Sequence, residues 1–305
     1  MKVLNQYIDD CCALYNGDSA EVMEALEDSS IDFSIFSPPF EDLYTYSDSP
    51  RDLGNCRNTD EFYKQFEYIV NHLFRILKKG RNICIHCMDL PATQSTDGFI
   101  GLKDFPGQII KVFEKSGFRY HSRITIWKDP VVAMQRTKAL GLLYKQLKKD
   151  SARCRQGIAD YIIVLHKEGE NTNPVSHNPD DFPVSKWQEY ASPVWMDINQ
   201  GNTLNRRSAR EERDEKHICP LQLDVIERCI ELWTKEGDVV FTPFLGIGSE
   251  AFQAIKMNRK AIGIELKTSY FEQAVKNCIN AEHGTEQLNL FDFEDNISEM
   301  SDKDD

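Results

Sequence analysis

A chain of 305 residues can hold one large α/β domain or two small ones, and 41% hydrophobic residues with 10% aromatics suit a substantial core. No apolar run reaches the length of a membrane span and no charged-then-apolar leader opens the chain, which points to the cytoplasm and away from a membrane partner. A net charge of −13 argues against a protein that coats nucleic acid without specificity, and nine cysteines in such a chain read as reduced core residues rather than a disulfide framework.

Seven short runs have strand character: Ala13–Asn16, Ile31–Phe36, Asn82–Cys87, Ser122–Trp127, Asp160–Leu165, Asp238–Thr242 and Ala261–Glu265. Most are nearly continuous in apolar residues, as in strands covered on both faces. Helical patterns separate them at Ala20–Leu26, Asp60–Lys78, Gly107–Lys115, part of 134–149, Leu221–Lys235, Glu250–Lys256 and Thr268–Cys278. The alternation predicts an α/β fold with a seven-stranded, mostly parallel sheet and helices on both faces.

Two stretches, 88–106 and 169–216, break this rhythm, and charge is uneven along the chain. Residues 88–106 read as an irregular connection, long for a simple loop between strand and helix. A basic strip over 128–155 includes Arg136 and Lys138 and suits phosphates, or is a solvated helix face. The segment 169–216 is rich in Asn, Pro, Asp and Ser and carries Trp187, Tyr190, Trp195, Arg206, Arg207, Arg210 and Arg213. It reads as a recognition element on a rigid sheet, or as a surface subdomain whose tryptophans pack their own core. Beyond it, 282–305 is an acidic tail with nine carboxylates against Lys303.

Two motifs carry chemistry. Ser37-Pro38-Pro39-Phe40 follows the strand Ile31–Phe36, at the sheet edge where such folds place their sites. The prolines fix φ and remove two backbone donors, so a serine oxygen, rigid carbonyls and an aromatic face suit an amino group on a flat ring. Thr242-Pro243-Phe244-Leu245-Gly246-Ile247-Gly248-Ser249 follows Asp238–Thr242 and opens a helix. Its glycines admit a ligand to the backbone, and Glu265 stands nineteen residues after Gly246, where a carboxylate grips ribose hydroxyls. A nucleotide-dependent oxidoreductase would use the same glycines and Glu265, but gives Ser37–Phe40 no role. A non-catalytic DNA-binding module would need no donor site. Cys84-Ile85-His86-Cys87 holds metal-ligand types, yet no second pair stands at zinc spacing and the strand is apolar, so it reads as core and no metal is expected.

Together the two motifs resemble the amino-methyltransferases of DNA, in particular the permuted, beta-type group in which the catalytic half precedes the cofactor half. Leu14-Tyr15-Asn16-Gly17-Asp18 is similar to the family's Gly-Asp element, Lys216–Gln222 to the segment that begins the cofactor half, and Ile262–Glu265 to its ribose-binding strand. Thr242 departs from the acidic residue common there. In detail the chain looks like methylases carried by bacteriophages and prophages. The resemblance implies a Rossmann-like methyltransferase fold in circularly permuted order, with 1–168 as catalytic half, 169–216 as target-recognition insertion and 217–281 as cofactor half. It implies S-adenosylmethionine as cofactor and double-stranded DNA as partner, and allows a cognate restriction endonuclease beside it. Ser37, Pro38, Pro39 and Phe40 would be catalytic. Asp18, His217, Pro220, Gln222, Pro243, Phe244, Gly246, Gly248 and Glu265 would bind the cofactor, and Arg136, Lys138, Arg206, Arg207 and Arg210 the DNA. Serine before Pro-Pro favours cytosine N4 as the target, with adenine N6 the alternative. No proline precedes a cysteine, which removes the usual nucleophile of carbon-5 methylation.

Overall fold

The computed structural model describes residues 3–40, 53, 56, 59–95, 97–129, 148, 158–205 and 220–284. The helix expected within 134–149, Arg136, Lys138, Arg206, Arg207, Arg210, Arg213, His217 and the tail beyond 284 lie outside the described residues. In chain order the first elements are β1 (Asn5–Ile8), β2 (Cys12–Asn16), α1 (Ser19–Glu24), β3 (Phe33–Phe36), α2 (Thr59–Ile76), β4 (Asn82–Met88), β5 (Leu90–Ala92), β6 (Gly101–Lys103) and α3 (Phe105–Lys115). They are followed by β7 (Arg119–Ile126), β8 (Asp160–His166), α4 (Val184–Tyr190), β9 (Val194–Trp195), α5 (Leu223–Trp233), β10 (Val239–Thr242), α6 (Ser249–Lys256), β11 (Lys260–Glu265) and α7 (Thr268–Glu282).

The chain forms two compact units, Met1–Ala25 with Asn199–Asp305, and Leu26–Ile198. In the first unit the strand order is β1–β2–β11–β10. Strands β2, β11 and β10 are parallel, and β1 runs antiparallel at the edge. Helix α6 packs on β10 and β11, and α7 on β2 and β11. The strand residues Leu14, Phe241 and Ile264 are fully buried, as expected for parallel strands covered by helices.

The second unit has the order β3–β4–β8–β7–β9. Strand β8 is antiparallel to both neighbours, whereas β3 pairs with β4, and β7 with β9, in parallel. Helix α2 buries Phe62, Phe66, Ile69, Val70, Leu73 and Ile76 on one stripe at helical spacing. With Asp60 and Glu61 in its first turn, its N-terminus also suits the helix dipole. Full burial of each such side chain contributes about 1.5–3 kcal/mol, so the phenylalanines dominate this core. Asp32, just before β3, binds Lys78 at 2.8 Å and the buried Arg81 at 2.9 Å, which fixes the strand that leads to Ser37.

All seven expected strands are present, within a few residues of their expected bounds. The stretch 88–106, expected to be irregular, instead holds the hairpin β5–β6 and the start of α3. Within 169–205 the tryptophans divide. Trp195 is 1% exposed and donates its Nε1 to the Tyr190 carbonyl, while Trp187 is 54% exposed on α4. Among the described residues no helix is long and apolar enough to cross a membrane.

Candidate active site

In the first unit, the carboxyl ends of β2, β10 and β11 are joined by a set of hydrogen bonds. Glu265 pairs in register with Asn16. The Asn16 amide donates to the carbonyls of Glu265 (2.8 Å) and Leu266 (3.1 Å) and accepts from Thr268 Oγ1 (3.0 Å). Asp18 caps α1, its Oδ1 accepting from the N–H groups of Ala20 (2.9 Å) and Glu21 (3.1 Å). Ser19 Oγ donates to the Pro243 carbonyl at 2.5 Å, tying the first helix to the glycine loop. The Glu265 carboxylate accepts from the N–H of Gly246 at 2.7 Å and from that of Lys267 at 2.8 Å. Its orientation relative to the loop is therefore set before any ligand arrives.

The two loop glycines have different tasks. Gly246 has φ of +55° and Gly248 of +91°, both in the left-handed region. A Cβ on Gly246 would meet nothing within 4 Å, whereas one on Gly248 would lie 3.0 Å from the Ala274 Cβ of α7. Gly246→Ala is therefore expected to carry only the conformational cost of about 1–2 kcal/mol, while its methyl occupies space a ligand needs. Gly248→Ala adds overpacking of about 1–3 kcal/mol and lowers the melting temperature more. Thermal melts beside titration with S-adenosylmethionine check this: the first variant loses mainly affinity, the second mainly stability.

Gln222 Oε1, beside the start of α5, and Thr242 Oγ1, at the end of β10, are among the buried side-chain atoms without a hydrogen-bond partner in the described residues, as is Asp160 Oδ1 in the second unit. A buried acceptor left unpaired costs about 1–3 kcal/mol, so a polar ligand group reaching either Gln222 or Thr242 would relieve that cost. Pro220 and Phe244 are half-buried nearby in sequence. A carboxylate suited to a ribose diol, open space at Gly246 and two waiting polar atoms fit S-adenosylmethionine, the donor implied by the motifs.

In the second unit, Ser37 is half-buried directly after β3, and Pro38, Pro39 and Phe40 are buried. The Phe40 ring stands edge-on to Phe105, 5.8 Å between centroids at 66°, and Phe105 neighbours Phe62 at 6.1 Å. This cluster anchors Phe40, the last residue of the tetrapeptide, in the core. Because β3 and β4 are parallel with Phe36 opposite Ile85, the next residues, Ser37 and His86, meet. Ser37 Oγ lies 2.8 Å from His86 Nδ1, and His86 Nε2 lies 3.0 Å from Asp160 Oδ2 at the start of β8. Asp160 also forms an ion pair with Lys128, just after β7. Burial works against its ionisation, but the Lys128 ammonium and His86 hold the Asp160 carboxyl below the usual carboxylate range.

Sequence reasoning did not link His86, Asp160 or Lys128 to Ser37, and placed Lys128 only within the basic strip. Cys84 and Cys87 are buried as expected, and His86 between them is half-buried with its ring bonded to Ser37 and Asp160. The available signal was weak: one polar ring in an apolar strand, and one aspartate opening another. Among the described residues no cluster of three His, Cys, Asp or Glu is placed to hold a metal ion.

A DNA methylase family model matches residues 31–276, which includes Ser37–Phe40, the glycine loop and Glu265. The Type II methyltransferase M.HindIII of Haemophilus influenzae is 23% identical over 249 residues, covering 77% of this chain and 73% of the relative. The Type II beta methyltransferase M.BslI of a Bacillus strain is 24% identical over 264 residues and 85% of this chain, and the chain spans only 26% of that protein's length. Among solved structures, a Thermus thermophilus protein described as a DNA modification methylase superposes with a TM-score of 0.66 at 20% identity, covering 89% of this chain and 96% of that one. The cytosine-N4-specific PvuII DNA methyltransferase superposes with a TM-score of 0.59 at 17% identity, covering 95% and 99%. These last two likenesses are of fold.

Proposed function

The chain belongs to the DNA methylase family, and from that premise we propose that it transfers a methyl group from S-adenosylmethionine to N4 of cytosine in double-stranded DNA, acting in the cytoplasm. The observation that carries the choice of target is Ser37 before two buried prolines, a neutral hydroxyl where adenine enzymes of the family favour Asp or Asn. The same chemistry on adenine N6 is the second reading.

Ser37 Oγ and the Pro38 carbonyl accept hydrogen bonds from the target amine and draw its lone pair out of conjugation with the ring. Phe40, buried beside Phe105, would have to turn a ring face toward the base to stack on it, and the base must leave the helix at a cost of a few kcal/mol. When bound, S-adenosylmethionine would supply an electrophilic methyl group to the amine nitrogen, with the thioether as leaving group and the surplus amine proton going to solvent. Pro243, Phe244, Gly246 and Gly248 would cradle that donor, Glu265 would bind its ribose, Asp18 would serve its adenine, and His217, Pro220 and Gln222 its methionine end. Orientation of the two reactants supplies most of the acceleration.

The insertion 169–216 would read sequence, Arg206, Arg207 and Arg210 being the candidates for base contacts and Arg136 and Lys138 those for DNA-backbone contacts. An alanine at a base-reading arginine is expected to cost about 1–3 kcal/mol and relax one position of the methylated motif. An alanine at Lys138 weakens binding to all sequences alike and flattens its salt dependence. Methylome sequencing of cells expressing each variant checks both. The activity itself is tested by calorimetric titration with S-adenosylmethionine, then by incubation of labelled donor with plasmid DNA and with RNA. Binding heat and label in DNA are expected. Absence of both, or label in RNA alone, would contradict the proposal.

A further inference from the structure

We propose that His86 and Asp160, backed by Lys128, fix the direction of the Ser37 hydroxyl proton and so turn the lone pairs of Ser37 Oγ toward the target amine. The inference rests on the reading of Ser37 as acceptor for that amine.

Proton positions are set from the buried end outward. Asp160 is 2% exposed and is paired with Lys128, so its carboxylate is an acceptor only. His86 Nε2, 3.0 Å away, must therefore carry the ring proton. In the neutral ring that leaves Nδ1 as an acceptor. Ser37 Oγ, 2.8 Å from Nδ1, is then the donor, and its proton points back into the protein. Both lone pairs stay available to accept the N–H of the amine. In the other tautomer Nδ1–H would donate to Oγ, fill one lone pair and swing the hydroxyl proton toward the substrate, where it opposes the amine N–H. Strand register makes the arrangement specific: Phe36 opposite Ile85 brings Ser37 to His86, and Met88 opposite Asp160 brings the carboxylate to the far side of the ring. His86 and Asp160 are positioning residues, since they act through Ser37.

The tautomer is directly measurable. In the full chain with 15N-labelled histidine, His86 is expected to show a protonated Nε2 and an unprotonated Nδ1 at neutral to mildly basic pH. Protonation at Nδ1 would overturn the inference whatever the activity shows. Kinetics supply a second arm. H86N places an amide oxygen near the Nδ1 position and can still accept from Ser37. H86Q reaches Asp160 instead and loses Ser37, and D160N releases the tautomer. H86Q and D160N are expected to lose on the order of tenfold or more in kcat, H86N less, with the KM for S-adenosylmethionine nearly unchanged. Full kcat in H86Q and D160N, alongside an inactive S37A, would overturn the role of His86 and leave that of Ser37 intact. A fully active S37A would remove the reading on which both depend. Should H86Q or D160N fail to fold, the tautomer in the parent protein still decides.

Discussion

Ser37→Ala is expected to lower the methyl-transfer rate by roughly two to three orders of magnitude, the range found when one preorganised group facing the reacting centre is removed. Ser37 Oγ is the polar side-chain atom of the proline loop and is held on His86 at 2.8 Å. Nothing else in that tetrapeptide offers a side-chain oxygen. The residues proposed to bind the donor belong to the other compact unit, so the affinity for S-adenosylmethionine is expected to change less than a few-fold. Single-turnover rates with labelled donor, beside a calorimetric titration, separate the two quantities. A variant that keeps the parent rate would show that another group activates the amine.

Glu265→Ala is expected to weaken donor binding by roughly 10- to 100-fold. Hydrogen bonds to a charged group contribute about 1.5–3 kcal/mol, and 1.4 kcal/mol is a factor of ten. Two losses coincide at this residue. The ribose loses its carboxylate, and the loop loses the acceptor that holds the N–H groups of Gly246 and Lys267 at 2.7 and 2.8 Å. Glu265→Gln keeps one oxygen but no charge, so its affinity should fall between those of the parent and the alanine variant. An unchanged dissociation constant in Glu265→Ala, by titration calorimetry, would count against the assignment of the cofactor loop.

The parts of the fold legible in the sequence were those written by apolar runs. Strands β3, β4, β8 and β10 bury nearly continuous hydrophobic stretches, β2 and β11 bury apolar residues in alternation, and β7 shows only at its end, where Ile124 and Ile126 are buried. Strand β1 was not legible because Asn5–Ile8 is a largely exposed edge with no apolar face to show. The hairpin β5–β6 was hidden by its length, three residues to a strand, and by Pro91 within it. Of the site, the proline tetrapeptide and the glycine loop could be seen because turn chemistry is local. The link from Ser37 to His86 spans 49 residues and that from His86 to Asp160 spans 74, and both are made by strand register. No spacing rule in a single sequence carries that information. The same limit explains Trp187 and Trp195, identical in type and eight residues apart, yet one exposed and one in the core.

Methyl transfer to cytosine N4 is decided by the identity of the product. Plasmid DNA treated with the protein and a donor bearing a deuterated methyl group, then digested to nucleosides, can be read by mass spectrometry. Deuterated N4-methylcytosine is expected, abolished or greatly reduced with Ser37→Ala. Deuterated N6-methyladenine would overturn the choice of base while keeping the chemistry. Deuterium only at carbon 5 of cytosine, or none in any nucleoside, would contradict transfer to an exocyclic amine altogether.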